Sequence, residues 1–90
     1  MNLNESFILP VKGEPQFVVP DNGTDFQLEE LKEAIGGGWI ETVLLRNGQI
    51  MVCDDEGRIK KLPINPRATL LYGSSPVHGD VLICQRNQIK

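Results

Sequence analysis

Glu41, Asp54 and Arg58 form the one charged constellation whose meeting the sequence dictates. The two carboxylates flank Asn47-Gly48, a dipeptide suited to a two-residue type I′ turn because both central positions of that turn take positive φ. With such a turn Arg46 faces Gln49, Leu45 faces Ile50, Val43 faces Val52 and Glu41 faces Asp54, all on fixed sides of the sheet. Opposed carboxylates repel. The turn Asp55-Glu56-Gly57, with Gly57 left-handed, would then set Arg58 opposite Asp54 as the missing cation. Such a cluster either orients the sheet or presents a polar recognition group on an apolar strand. A metal site is not indicated, since no histidine or third carboxylate is specified nearby.

A second place for chemistry is Asn65-Pro66-Arg67, where an N-cap, a proline at N1 and a guanidinium meet at a short helix over residues 66–72. A helix start of this kind can seat an anion such as phosphate, and it can equally be ordinary capping beside a solvated arginine. Thr69, four residues on, shares the face of Asn65. Trp39 and Tyr72 offer aromatic faces for stacking, although a tryptophan opening a strand also serves as a lid on a core. The ligand-binding candidates are therefore Trp39, Glu41, Arg58, Asn65, Arg67, Thr69 and Tyr72. His78 lies in a polar loop with Ser74, Ser75 and Asp80, separations too short for a serine–histidine–acid triad to converge. With no nucleophile elbow, phosphate loop, dinucleotide fingerprint or zinc spacing, neither catalytic residues nor a cofactor are expected.

The elements that must position these groups follow from pattern. Residues 6–11 and 16–19 read as strands around the turn Lys12-Gly13-Glu14-Pro15, and Pro10 and Pro20 place at least one of them at an edge or bulge. Thr24 with Gln27 fits a capping box for an amphipathic helix over 25–35, with Leu28, Leu31 and Ile35 on one stripe and Gly36-Gly37-Gly38 as its stop. Residues 39–46, 49–54 and 58–62 read as a three-stranded meander. The nearly all-apolar segment 80–85 reads as a strand in the middle of the sheet, and residues 86–90 as a frayed end. The expected fold is α+β, a mostly antiparallel sheet of about six short strands with two helices.

The chain has 90 residues, 40% of them hydrophobic and 23% charged, which fits a single domain over 1–90 with one modest core. Nine Lys and Arg against twelve Asp and Glu leave a net charge of −3, the wrong balance for a duplex nucleic-acid binder. Cys53 and Cys84 sit in apolar runs without metal-knuckle or CxxC spacing and read as buried free thiols. No basic leader precedes an apolar run and no run is long enough to span a membrane, so a cytoplasmic location is expected. The meander alternates apolar residues on both sides. If both helices cover one face, the other must meet water, the first hairpin or a second copy, which points to a homo-oligomer.

Three segments carry a resemblance: residues 37–43, Gly-Gly-Trp-Ile-Glu-Thr-Val; residues 50–58, with Asp55-Glu56-Gly57; and residues 62–69, with Asn65 followed by Ala68-Thr69. In these, over about residues 16–84, the chain resembles an uncharacterised small domain family of bacteriophages and bacterial mobile elements. It departs from that pattern at Cys53 and Pro66. The resemblance implies no activity, but it implies a setting: a compact phage-type protein in a host cell, acting stoichiometrically. Two functions fit. One is a non-catalytic sponge that sequesters a small phosphorylated nucleotide signal made by a host defence. The other is an inhibitor of a host protein, engaged through the acidic face of Glu29, Glu30 and Glu33 with Asp54, Asp55 and Glu56.

Overall fold

The apolar segments of the chain assemble into one antiparallel sheet with a helix on each face. The structure, a computed structural model, describes residues 6–89. Its elements in order are β1 (Phe7–Leu9), β2 (Gln16–Phe17), α1 (Leu28–Ala34), β3 (Ile40–Leu44), β4 (Ile50–Asp54), α2 (Pro66–Tyr72), β5 (Val81–Cys84) and a 3-10 turn at Arg86–Gln88. The strand order is β2-β1-β5-β4-β3. β5 is central, as its continuous Val-Leu-Ile-Cys run requires: all four residues are fully buried because both faces are covered.

The pleat sorts the core. Phe7, Ile83 and Met51 are in register across three strands and pack on one face with Ala68 of α2 and Val77. Ile8, Leu82 and Val52, one residue along each strand, face the other way onto Phe26, Leu31 and Ile35. The helices thus lie on opposite faces. The face expected to stay open for a second copy is covered, and that motive for self-association is removed.

Three local readings differ. The helix begins at Leu28, not residue 25, because the box that closes is one turn later: Glu30 Oε2 accepts from Gln27 N at 2.7 Å, and Glu30 Oε1 accepts from Asp21 N. Leu28 falls outside the apolar stripe and is exposed. The strand read at 58–62 is absent, leaving five strands among the described residues. Residues 55–61 instead coil through helical turns, and Lys61 at φ 59 closes them with Leu62 N donating to Gly57 O and Lys61 N to Arg58 O. That is a Schellman-type stop with a lysine in the usual glycine position. Finally, the end read as frayed is tied down as far as it is described: Phe26 N donates to Gln88 O, and the Gln88 side chain pairs with Ser6. Lys90 of that segment lies outside the described residues.

Candidate functional site

The hairpin between β3 and β4 decides which side chains meet. Gly48 alone takes positive φ, at 89°. Gly48 N donates to Leu45 O, and Leu45 N donates to Gln49 O. The loop is therefore three residues, Arg46-Asn47-Gly48, a type I turn followed by a left-handed glycine. Asn47 favours it by accepting from Gln49 N and donating to Gln49 Oε1. Relative to a two-residue turn the register slips by one: Ile40 pairs with Asp54 and Glu41 with Cys53. The expected Glu41–Asp54 opposition does not form, since a one-residue slip moves a side chain to the other face.

Asp54 finds a different cation from the one expected. Its Oδ2 lies 2.9 Å from Lys60 Nζ, while Oδ1 accepts from Glu56 N and caps the coil that follows. Burial raises the pKa of this carboxyl, but the lysine and the amide outweigh it and hold the group below its ordinary value. Arg58, the expected partner, is exposed; among the described residues its guanidinium has no hydrogen bond or ion pair.

Glu41 instead approaches Asp55. Partial burial, a hydrogen bond with Asp55 and its negative charge push the Glu41 carboxyl above its ordinary value, in that order. The pair borders a cleft of about 240 Å³, floored by Met51 and Cys53 and walled by Arg58, Tyr72 and His78. A second hollow of about 340 Å³ adjoins it and shares Arg58, Ser75, Pro76 and His78. Gly57 keeps the wall thin: a Cβ there would stand 3.2 Å from His78 O. His78 Nδ1 lies 2.8 Å from Leu62 O. A carbonyl only accepts, so Nδ1 carries the proton and, in the neutral ring, Nε2 holds the lone pair. Cys53 contributes no nucleophile, because burial and then the charges of Glu41, Asp54 and Asp55 push its thiol up to about 11.

Of the seven candidates, the structure gathers Glu41, Arg58 and Tyr72 at this cleft. Asn65, Arg67 and Thr69 are used as tethers. Asn65 is wholly buried; its Nδ2 donates to Leu9 O and Gly79 O and its Oδ1 accepts from Ala68 N. Arg67 Nη2 donates to Pro10 O, and Thr69 Oγ1 accepts from Val77 N. These bonds fasten α2 to β1 and to the loop before β5, and the cap occupies an amide that an anion would need. Trp39 is exposed away from the cleft, with Lys32 Nζ 4.3 Å from its ring centroid. Asp55, Cys53 and His78 were not among the seven; the Asp55-Glu56-Gly57 turn was a signal for the first, whereas nothing local marks His78. Among the described residues no group of three His, Cys, Asp or Glu side chains could hold a metal ion, and no helix is long and apolar enough to cross a membrane.

The model of a domain family of unknown function, DUF3846, matches residues 6–89, and the chain belongs to that family. No curated protein matches the chain, and no solved structure does.

Proposed function

We propose that this member of the DUF3846 family is a non-catalytic binding module whose cleft takes a small phosphorylated, nucleotide-type ligand. The observation that carries the reading is the Arg58 guanidinium, without a partner among the described residues, on the shared wall of two adjoining hollows. A free guanidinium is suited to a phosphate. Glu41 and Asp55 stand at the same cleft and can accept from ribose hydroxyls or an exocyclic amine, and Tyr72 offers an aromatic edge. The motif resemblance adds a setting, a phage-type protein that removes a host defence signal by holding it. Holding without turnover requires geometry and charge but no general acid or base.

The test is to incubate the protein with cyclic dinucleotides and with ADP-ribose, then denature it by heat and recover the ligand. Intact ligand, bound by the native protein and lost in Arg58→Ala, is the expected result. A chemically altered product would make the protein an enzyme, and no thermal shift with any nucleotide would remove the reading.

A second reading rests on a different hollow. Ile8, Val18 and Phe26 line a groove of about 330 Å³ that Asp21, Glu30 and Glu33 also border. An apolar groove with an acidic rim suits a basic segment of a host protein. Pull-down from host lysate separates the two: a stoichiometric protein partner released by salt favours this groove, and a retained nucleotide favours the cleft.

A further inference from the structure

The two hollows that meet at Arg58 differ in charge. Glu41, Asp54 and Asp55 line the first, whereas among the described residues no carboxylate lines the second, where Ile64, Ser75 and His78 stand with the guanidinium. A phosphate is therefore repelled from the first hollow and admitted to the second, where Arg58 and the Ser75 hydroxyl can donate to it. Asp54 is already engaged, because Lys60 Nζ and Glu56 N meet its two oxygens. That leaves Glu41 and Asp55, two carboxyls within one hydrogen bond of each other. The oxygens of such a bond lie about 2.5–3.0 Å apart. Two vicinal hydroxyls are spaced on the same scale and can supply a proton to each carboxylate, relieving the repulsion between them.

Which part of a nucleotide reaches this pair follows from connectivity. The hollows adjoin and share Arg58, Ser75, Pro76 and His78, so the group that meets Glu41 and Asp55 is the one bonded to the phosphate. In a nucleotide that group is the ribose, and the base lies one step beyond it. We infer that the cleft selects a free ribose diol, with the phosphate at Arg58 and Ser75 in the second hollow and the 2′- and 3′-hydroxyls at Glu41 and Asp55 in the first. The inference rests on the nucleotide reading above and names the donor its carboxylates take: sugar hydroxyls, not an exocyclic amine.

Isothermal titration of the whole chain with three mononucleotides tests it. Adenosine 5′-monophosphate carries diol and amine, its 2′,3′-dideoxy analogue lacks only the hydroxyls, and inosine 5′-monophosphate lacks only the amine. The adenosine and inosine nucleotides should bind alike, and the dideoxy analogue about 10- to 100-fold more weakly, the scale of lost hydrogen bonds to charged groups. Glu41→Ala combined with Asp55→Ala, both at exposed positions, should keep the fold by circular dichroism and abolish that difference, whereas Arg58→Ala should weaken all three nucleotides alike. Equal binding of the dideoxy analogue, a loss confined to the inosine nucleotide, or a diol preference that survives in the double variant overturns the inference and leaves the nucleotide reading standing. So does a cleft that takes cyclic dinucleotides but not adenosine 5′-monophosphate. Should no nucleotide bind, ADP-ribose and cyclic dinucleotides included, the reading beneath the inference falls with it.

Discussion

Asp54 and Lys60 form an ion pair that lies directly across Gly38: a Cβ on that glycine would collide with Asp54 Oδ2 and stand 2.7 Å from Lys60 Nζ. Gly38 is not in a left-handed conformation, so its lack of a side chain serves this contact and not a turn. Gly38→Ala should cost about 1–3 kcal/mol, the range for overpacking a filled site. Chemical denaturation checks it, and a smaller cost of Gly38→Ala in a Lys60→Met background, where the ion pair is already broken, would show that the pair is what the methyl displaces.

The two carboxylates of the region should respond to pH with opposite signs. The Asp54 pKa is lowered from 3.8, so its contribution to stability is present above that value and is lost as pH falls through the folded-state pKa. The Glu41 pKa is raised from 4.5, so its ionisation opposes folding above that value and the penalty lifts on acidification. At neutral pH, Asp54→Asn should lower the melting temperature, and Glu41→Gln should leave it unchanged or raise it. Thermal melts from pH 3 to 7 decide; a loss of stability at neutral pH in Glu41→Gln would contradict the Glu41–Asp55 assignment.

Asn65 should behave as a structural hub. Asn65→Ala leaves Leu9 O and Gly79 O buried without a donor and uncaps Ala68 N, and each stranded group costs about 1–3 kcal/mol. A broad or absent unfolding transition is expected from calorimetry. A stable Asn65→Ala protein that had merely lost an anion would show that the residue is a ligand contact.

How much of this was legible in the sequence depends on how many residues set each feature. The burial of β5 is written in four consecutive apolar residues, and the short helix in Asn65-Pro66, so both follow from local pattern. The register of β3 and β4 turns on one residue of loop length. Asn47 stabilises the longer loop with side-chain bonds to Gln49, and that single choice moves Glu41 from Asp54 to Asp55. Ile59 made 58–62 resemble a strand, yet it is 77% exposed; the Asp54 cap and the Lys61 stop outweigh its preference. His78 reaches the cleft because Gly79 N, donating to Pro63 O, Asn65 N, donating to Val77 O, and the Nδ1 bond to Leu62 bring two distant loops together, a tertiary fact with no local signature.

Both thiols should be inert in the folded chain. Burial pushes Cys84 up to about 12, and Cys53 stands at about 11. Iodoacetamide at pH 8 should leave both unmodified in native protein and label both after denaturation, read by mass spectrometry. Rapid native labelling of Cys53 would mean a thiolate at the cleft floor and reopen a catalytic reading.

The cleft itself is tested most directly by amide chemical-shift mapping during titration with cyclic dinucleotides and ADP-ribose. The account predicts saturable changes centred on Glu41, Cys53, Arg58, Tyr72 and His78, with α1 and the β1–β2 hairpin silent and the response abolished in Arg58→Ala. Saturable changes centred instead on Phe26, Glu30 and Glu33, or no change with any of these nucleotides, would contradict it.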